Sequence, residues 1–234
     1  MADYIKHLKG EYSENTFNRK VDYIKYNFGD VVNALPKNAK VLEVGPGMGE
    51  MVSYLNNLGI TNIDVVDNDR NILKLIKEKY KVKNNYLADD VLRIGKKLGV
   101  YDIIVLIQVL EHLPLVKQPD IIKTLYAYLK KGGYIIIVVP NANNPLGLVE
   151  RYGDLQHTTS YTNRSLEDLV IESRIKECKI QISGFEIPLY STINIIRIIF
   201  QKILHLFLLL VMMINGGTFF KTMTPNIVLR IKKY

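Results

Sequence analysis

Cysteine occurs once in the 234 residues, at Cys178, and tryptophan does not occur. One thiol excludes an intrachain disulfide and any metal cluster built on several cysteines, and it suits a reducing compartment. Cys178 itself reads as a small core side chain. The first residues, from Met1 to His7, mix charges and lead into no apolar stretch, so no secretory signal is expected and the chain is expected in the cytoplasm. Low-complexity linkers and internal repeats are missing as well. Acidic residues stop at Glu186, whereas Arg197, Lys202, Lys221, Arg230, Lys232 and Lys233 come after it. These six account for +6 of the formal +8, so the basic character belongs to the C-terminal segment.

What is present suffices for one sizeable core, with 48% apolar against 23% charged residues. Strand and helix patterns alternate. Lys40–Val44, Asn62–Asp67, Asn85–Ala88, Tyr101–Ile107 and Tyr134–Val139 read as strands. Met51–Leu58, Asn71–Tyr80 (after an Asp69 cap) and Pro119–Leu129 read as helices, the last stopped by Gly132–Gly133. Such alternation implies a parallel sheet with helices on both faces. Ser165–Arg174 continues as a helix, Lys179–Phe185 as a strand and Asn226–Lys232 as a closing strand. Before the first strand, Tyr12–Leu35 carries Phe17, Val21, Ile24, Phe28, Val31 and Leu35 at one-face helical spacing, for packing or as a lid over a ligand.

The stretch "VLEVGPGMGE" at Val41–Glu50 ends a strand on three glycines, Gly45, Gly47 and Gly49. A bare turn between strand and helix lets ligand atoms approach the backbone and offers unpaired N–H groups at the helix start. Asp67 closes the second strand 22 positions after Gly45, near the spacing of about 20 at which a carboxylate reaches ribose hydroxyls. Together these favour an adenosine-bearing cofactor. Dinucleotide sites use G-x-G-x-x-G, whereas this loop is G-x-G-x-G followed by Glu50, which would repel a pyrophosphate.

Here the chain resembles the class I S-adenosylmethionine (SAM) methyltransferases. "VLEVGPGMG", "VVDND", "LADD" and "YDIIVLIQVLEHL" look like four of their motifs in the right order, over residues 38 to 140. The resemblance implies a doubly wound, Rossmann-like α/β fold with a seven-stranded, mostly parallel sheet. Residues 1–36 would form an N-terminal helical cap, 37–190 the SAM-binding core, 191–218 an apolar helical insertion and 219–234 the closing strand. It also implies that Glu43, Gly45, Gly47 and Gly49 surround the methionine part of SAM, that Asp67 holds the ribose and that Asp89 lies near the adenine, with Asn68, Asp90 and Gln108 also among the cofactor-binding residues. Pro46 replaces the small or thiol side chain of many members and is itself common there.

Open α/β sheets bind ligands beyond the carboxyl ends of their strands, so Gln108, Glu111, His112 and Asn141 are expected to face the acceptor. Transfer to a hydroxyl needs a group to take its proton, which suits histidine. Of the four histidines, His7 lies near the terminus and His205 in an apolar helix; His112 and His157 are the catalytic candidates. The stretch "ERYGDLQHTTSYTNRSL" resembles a subset of these enzymes from bacterial polysaccharide pathways, with Pro140–Asn141, an R-Y-x-D-x-x-H loop and a helix starting Ser165–Leu166. By that resemblance His157 is the general base, and Arg151, Tyr152 and Tyr161 join Asn141 around the acceptor. The function expected is O-methylation of a sugar hydroxyl, or of a phosphorylated sugar substituent, on a glycan precursor. A quinone-like acceptor, a nucleic-acid methyltransferase and a non-catalytic SAM-fold subunit are the alternatives. Nucleic acid is not expected as a partner, since no Asn/Asp-Pro-Pro-aromatic motif follows the fourth strand.

Some related quinone and RNA O-methyltransferases carry E-x-x-E-H at the fourth-strand exit and bind a divalent ion. Here the first position is Gln108, an amide that a hard cation wants less than a carboxylate, so no metal is assigned. "ILHLFLLLVMMI" at Ile203–Ile214 is the most apolar window; twelve residues are too few for a membrane span, and Arg197 and Lys202 interrupt the turns before it. Two readings stand: packing on the domain or in a homodimer, and peripheral contact of residues 193–218 with an anionic membrane at the inner face.

Overall fold

The computed structural model describes residues 13–88, 91–217, 220 and 222–234. His7, Asp89 and Asp90 lie outside them. Helix α1 (Glu14–Val32) precedes an alternating series: β1 (Val41–Val44), α2 (Glu50–Asn57), β2 (Ile63–Asp67), α3 (Arg70–Lys79), β3 (Asn84–Leu87), the short α4 (Val91–Ile94) and β4 (Tyr101–Ile107). There follow α5 (Gln118–Ala127), β5 (Leu129–Pro140), the short α6 (Leu148–Tyr152), α7 (Asn163–Glu172), β6 (Cys178–Gly184), α8 (Thr192–Ile214) and β7 (Asn226–Lys233).

The strands form one seven-stranded sheet in the order β3-β2-β1-β4-β5-β7-β6. The first five are mutually parallel, and β7 runs antiparallel between β5 and β6. The mostly parallel, doubly wound sheet expected from the sequence is what the chain forms. Its central strands are apolar on both faces because helices cover both sides. Leu42, Ile104, Leu106, Ile135 and Ile137 bury themselves with Ile121, Ile122, Leu125 and Leu166 from α5 and α7. The alternate positions, Val41, Ile63, Val65, Ile103, Val105, Ile136 and Val138, pack against Phe28, Met51, Leu55, Ile72 and Ile76 from α1, α2 and α3.

Two sequence expectations need correction. β5 begins at Leu129, not Tyr134, because Leu129 pairs with Tyr101 before the register shifts to Ile103–Tyr134. Gly132, at φ +78°, permits the detour, so residues 130–133 form an irregularity inside the strand instead of a helix stop. Second, Arg197 and Lys202 do not break the apolar C-terminal helix. α8 runs unbroken for 23 residues, capped by Ser191 on the Asn194 N–H, and is long and apolar enough to cross a membrane by length and composition. None of its residues is buried.

Helix α1 both packs and lines a ligand space. Ile24, Phe28, Val31 and Val32 are buried, and burying Phe28 alone is worth roughly 2–3 kcal/mol. Asn27 fastens the helix by donating to the Glu186 carbonyl (2.9 Å) and accepting from the Glu186 N–H (2.8 Å). That clasp holds Arg19, Lys20 and Tyr23 at the edge of the principal cleft.

Candidate active site

The carboxyl ends of β1, β2 and β4 open on a cleft of about 1470 Å³. Ligand pockets commonly measure about 300–1,000 Å³, so the space exceeds what one nucleoside cofactor fills. Of the residues expected at the cofactor, Glu43, Gly45, Gly47, Asp67, Asn68 and Gln108 line it. Gly49 does not, and its role is different.

All three loop glycines adopt positive φ (67°, 53° and 89°), but their neighbours differ. A Cβ on Gly45 would stand 2.5 Å from Val109 Cγ2, and one on Gly49 would stand 2.3 Å from Tyr80 Cε2 and 2.8 Å from Ile76 Cδ1. These two are bare because the protein packs on them. A Cβ on Gly47 would meet only Glu50 Oε2, at 3.7 Å, so the loop is open to the cleft at that point. The Tyr80 hydroxyl donates to the Met48 carbonyl (3.1 Å) and braces the turn. Gly49 is the N-cap of α2 and supplies no side chain to cap it, which leaves helix-start N–H groups for another acceptor.

Carboxyls surround this loop. Glu43 is buried, and among the described residues its Oε2 has no hydrogen-bond partner; burial holds its pKa well above the usual carboxylate range. Burial pushes Asp67 up to about 6, although its Oδ1 accepts from the Asp69 N–H at 2.8 Å. Glu50, 3.6 Å from Lys20 Nζ, is pushed up to about 7 by burial. A sulfonium and an ammonium brought beside these groups would draw them to their ionised forms, so the residues fit SAM.

The chain leaves β4 through Gln108, a non-glycine residue at φ +55° whose Nε2 donates to Asn226 Oδ1 (2.8 Å). A turn at Leu110–His112 follows. It brings His112 to the cleft lining and points Glu111 inward, fully buried, with both carboxylate oxygens unpartnered among the described residues. Burial pushes Glu111 up to about 8. The turn is held from below. Gln118 Nε2 donates to the Leu110 and Leu113 carbonyls (both 3.0 Å), Gln118 Oε1 accepts from the Tyr161 hydroxyl (2.8 Å), and the Thr158 hydroxyl donates to the Glu111 carbonyl (2.8 Å).

His157 stacks edge-on against His112, with ring centroids 4.7 Å apart. Its Nδ1 lies 2.7 Å from the Glu150 carbonyl, which can only accept, so Nδ1 carries a proton and donates it there. His112, not His157, is the ring that lines the cleft. Burial, and then the neighbouring His157, hold the His112 pKa below the ordinary imidazole range, so it is neutral at pH 7.

The other residues expected at the acceptor fall elsewhere. Tyr161 is buried in the core with its hydroxyl on Gln118 and Leu110, where it supports the His112 turn. Asn141 is also buried; it donates to the Thr222 and Thr224 carbonyls (3.1 and 2.8 Å) and accepts from the Asn143 N–H. It ties β5 to the segment before β7 because those carbonyls have to be satisfied away from water. Arg151 donates to the His157 and Thr158 carbonyls (2.5 and 3.0 Å) and stacks on Tyr152, which is largely exposed; neither is in the cleft lining. Arg151 thus fixes the loop that carries His157. Sequence reasoning missed Gln118, Thr158 and Asn226; Thr158 and Asn226 act on Glu111 and Gln108 from distant parts of the chain, and Gln118 on the nearby turn and on Tyr161.

Glu111, His112 and His157 each offer a ligand atom, all within 4.8 Å of one another. One carboxylate and two imidazoles are a donor set that a divalent ion accepts.

The raised carboxyls make stability depend on pH in a definite direction. Unfolded, they release their protons near pH ~4, whereas folded Asp67, Glu50 and Glu111 retain them to about 6, 7 and 8. The folded state binds more protons in that window, so stability falls as pH rises through it. Melting curves of the ligand-free chain should show Tm declining between pH 5 and 8, with the Tm gain from SAM growing over the same range. A Tm that rises through that range would contradict the assignment.

Residues 12–173 match the methyltransferase-domain family. Among curated proteins, TehB of Haemophilus influenzae, a probable SAM-dependent methyltransferase, is 34% identical over 51% of this chain and 45% of its own length. The ubiquinone biosynthesis O-methyltransferase of Coxiella burnetii is 29% identical over 46% of each chain. The chain thus spans less than half the length of these relatives. Among solved structures, a SAM-dependent methyltransferase from Archaeoglobus fulgidus superposes with a TM-score of 0.65 at 21% identity, covering both chains completely. The plantazolicin methyltransferase BpumL, solved with SAH, gives 0.61 at 15% identity over 100% of this chain and 91% of its own. The family match covers well over half the sequence and agrees with the loop, the acidic strand end and the sheet order: the chain belongs to the methyltransferase-domain family and has the class I SAM-dependent methyltransferase fold.

Proposed function

We propose that the chain methylates oxygen, on a sugar hydroxyl or a phosphorylated substituent of a sugar, during assembly of a bacterial surface polysaccharide in the cytoplasm. The observation that carries this reading is the neutral imidazole of His112 on the wall of the cofactor cleft, backed by His157. When bound, SAM supplies an electrophilic methyl group on sulfur. His112 would take the proton of an acceptor hydroxyl held beside it in the cleft as that oxygen accepted the methyl group. A sugar hydroxyl would leave as its methyl ether, with SAH and a proton that His112 passes to solvent; a phosphorylated acceptor, already ionised, would leave as its methyl ester without giving His112 a proton. Arg19, Lys20, Arg70 and Arg197 line the same cleft, which supports an anionic acceptor such as a sugar phosphate or a nucleotide-linked sugar. The R-Y-x-D-x-x-H loop supports the polysaccharide assignment. Incubating the purified chain with methyl-labelled SAM and cell extract split into nucleotide-sugar and lipid-linked fractions tests it. Label in a glycan precursor is the expected result; label in quinone or nucleic acid alone would refute the reading.

The unpartnered Glu111 carboxylate favours one second reading, in which a divalent cation at Glu111, His112 and His157 binds the acceptor oxygen. Chelation separates the two. Imidazole catalysis predicts a turnover unchanged by EDTA, whereas metal assistance predicts a loss of about 100-fold or more, restored by Mg²⁺ or Mn²⁺.

A further inference from the structure

Among the described residues α8 is unlike every other long helix, because it is apolar and no residue of it is buried. Large side chains such as Ile193, Phe200, Leu206, Phe207 and Ile214 are 60–80% exposed. One stripe, Asn194, Ile198, Gln201, His205 and Met212, is half-covered, and Gln201 on it lines the cleft. From Ile203 to Ile214 every residue except His205 is apolar, so the helix is apolar on all its faces there. A second copy packed on one side would leave the others in water. A lipid leaflet covers every face that the domain leaves open.

At 1.5 Å per residue the 23 residues reach about 35 Å, enough for a hydrocarbon core of about 30 Å. The topology forbids a crossing. β6 before the helix and β7 after it are paired neighbours, with Gly184 opposite Ile227. Only residues 215–225 return the chain from Ile214 to Asn226. A helix across the bilayer would drag that segment back through hydrocarbon in extended form, with its backbone groups unpaired. The helix therefore enters and leaves on one side. Its charges are Arg197 and Lys202, and no acidic residue follows Glu186, which matches anionic headgroups.

We propose that α8 docks the protein on the anionic face of one lipid leaflet, lying in the interface with Ile203–Ile214 at acyl depth. The cleft, whose rim includes Arg197 and Gln201 of the same helix, then takes its acceptor from that surface. Docking goes beyond the proposed reaction; delivery of the acceptor rests on that reaction.

The full chain is to be sedimented with phosphatidylcholine vesicles with and without phosphatidylglycerol, beside calorimetry with SAM. Pelleting with the anionic vesicles is expected, with K202Q weakening it about fivefold. The pair L206E/L210E should abolish pelleting while leaving SAM binding and melting unchanged, since both side chains are exposed. A chain that binds SAM but stays in the supernatant overturns docking, as does a dimer held through α8 that ignores vesicles. With methyl-labelled SAM and separated cell fractions, label should appear in membrane-bound material. Label only in soluble precursors overturns delivery with docking intact, and absence of SAM binding fails the reaction itself.

Discussion

Replacing His112 with alanine is expected to lower methyl transfer by about 10²–10⁴-fold while leaving SAM affinity close to wild type. Proton transfer by a positioned side chain is worth that range, and His112 is the imidazole on the cleft wall. The pH profile adds a signature that a packing role would not give. Because burial and His157 hold His112 below the ordinary value of about 6.5, the wild-type rate should fall only under more acidic conditions than that. His157→Ala removes one of the two causes, so the acid limb should move up in pH and the rate should drop less than in H112A. A larger loss in H157A than in H112A would exchange their roles.

The second large effect divides the glycine–aspartate motif by mechanism. Asp67→Ala should weaken SAM binding by about 10–100-fold, the worth of hydrogen bonds to a charged acceptor, with little change in melting. Gly49→Ala should do the reverse. Its Cβ would lie 2.3 Å from the Tyr80 ring at a φ of +89°, and overpacking with backbone strain costs about 2–5 kcal/mol. Calorimetry and thermal melting of the two variants check this. Equal losses in both measurements for both variants would mean that the motif acts as one structural unit.

The cofactor half of the site was legible because it is local. A strand end, a glycine turn and a helix start are neighbours in sequence, and Asp67 follows at a fixed βαβ spacing. The reasons behind the glycines were not legible, since Val109 and Tyr80 press on Gly45 and Gly49 from other elements. The acceptor half was read only in part. The rule that residues after strand ends face ligand pointed to His112, which does line the cleft. It failed for Asn141, which serves carbonyls near residue 224, and the loop resemblance failed for Tyr161, which serves Gln118. Both are polar residues whose partners lie 43 to 83 positions away. For α8, two charges were counted as interruptions, yet an apolar helix tolerates long basic side chains whose stems lie along it.

The most direct measurement is a crystal structure of the chain with SAH. The account predicts the nucleoside between Gly47 and Asp67, with the sulfur turned so that a methyl group on it would face the His112 imidazole across space for a hydroxyl. A nucleoside bound elsewhere, or a sulfur whose open side faces away from His112, would contradict it.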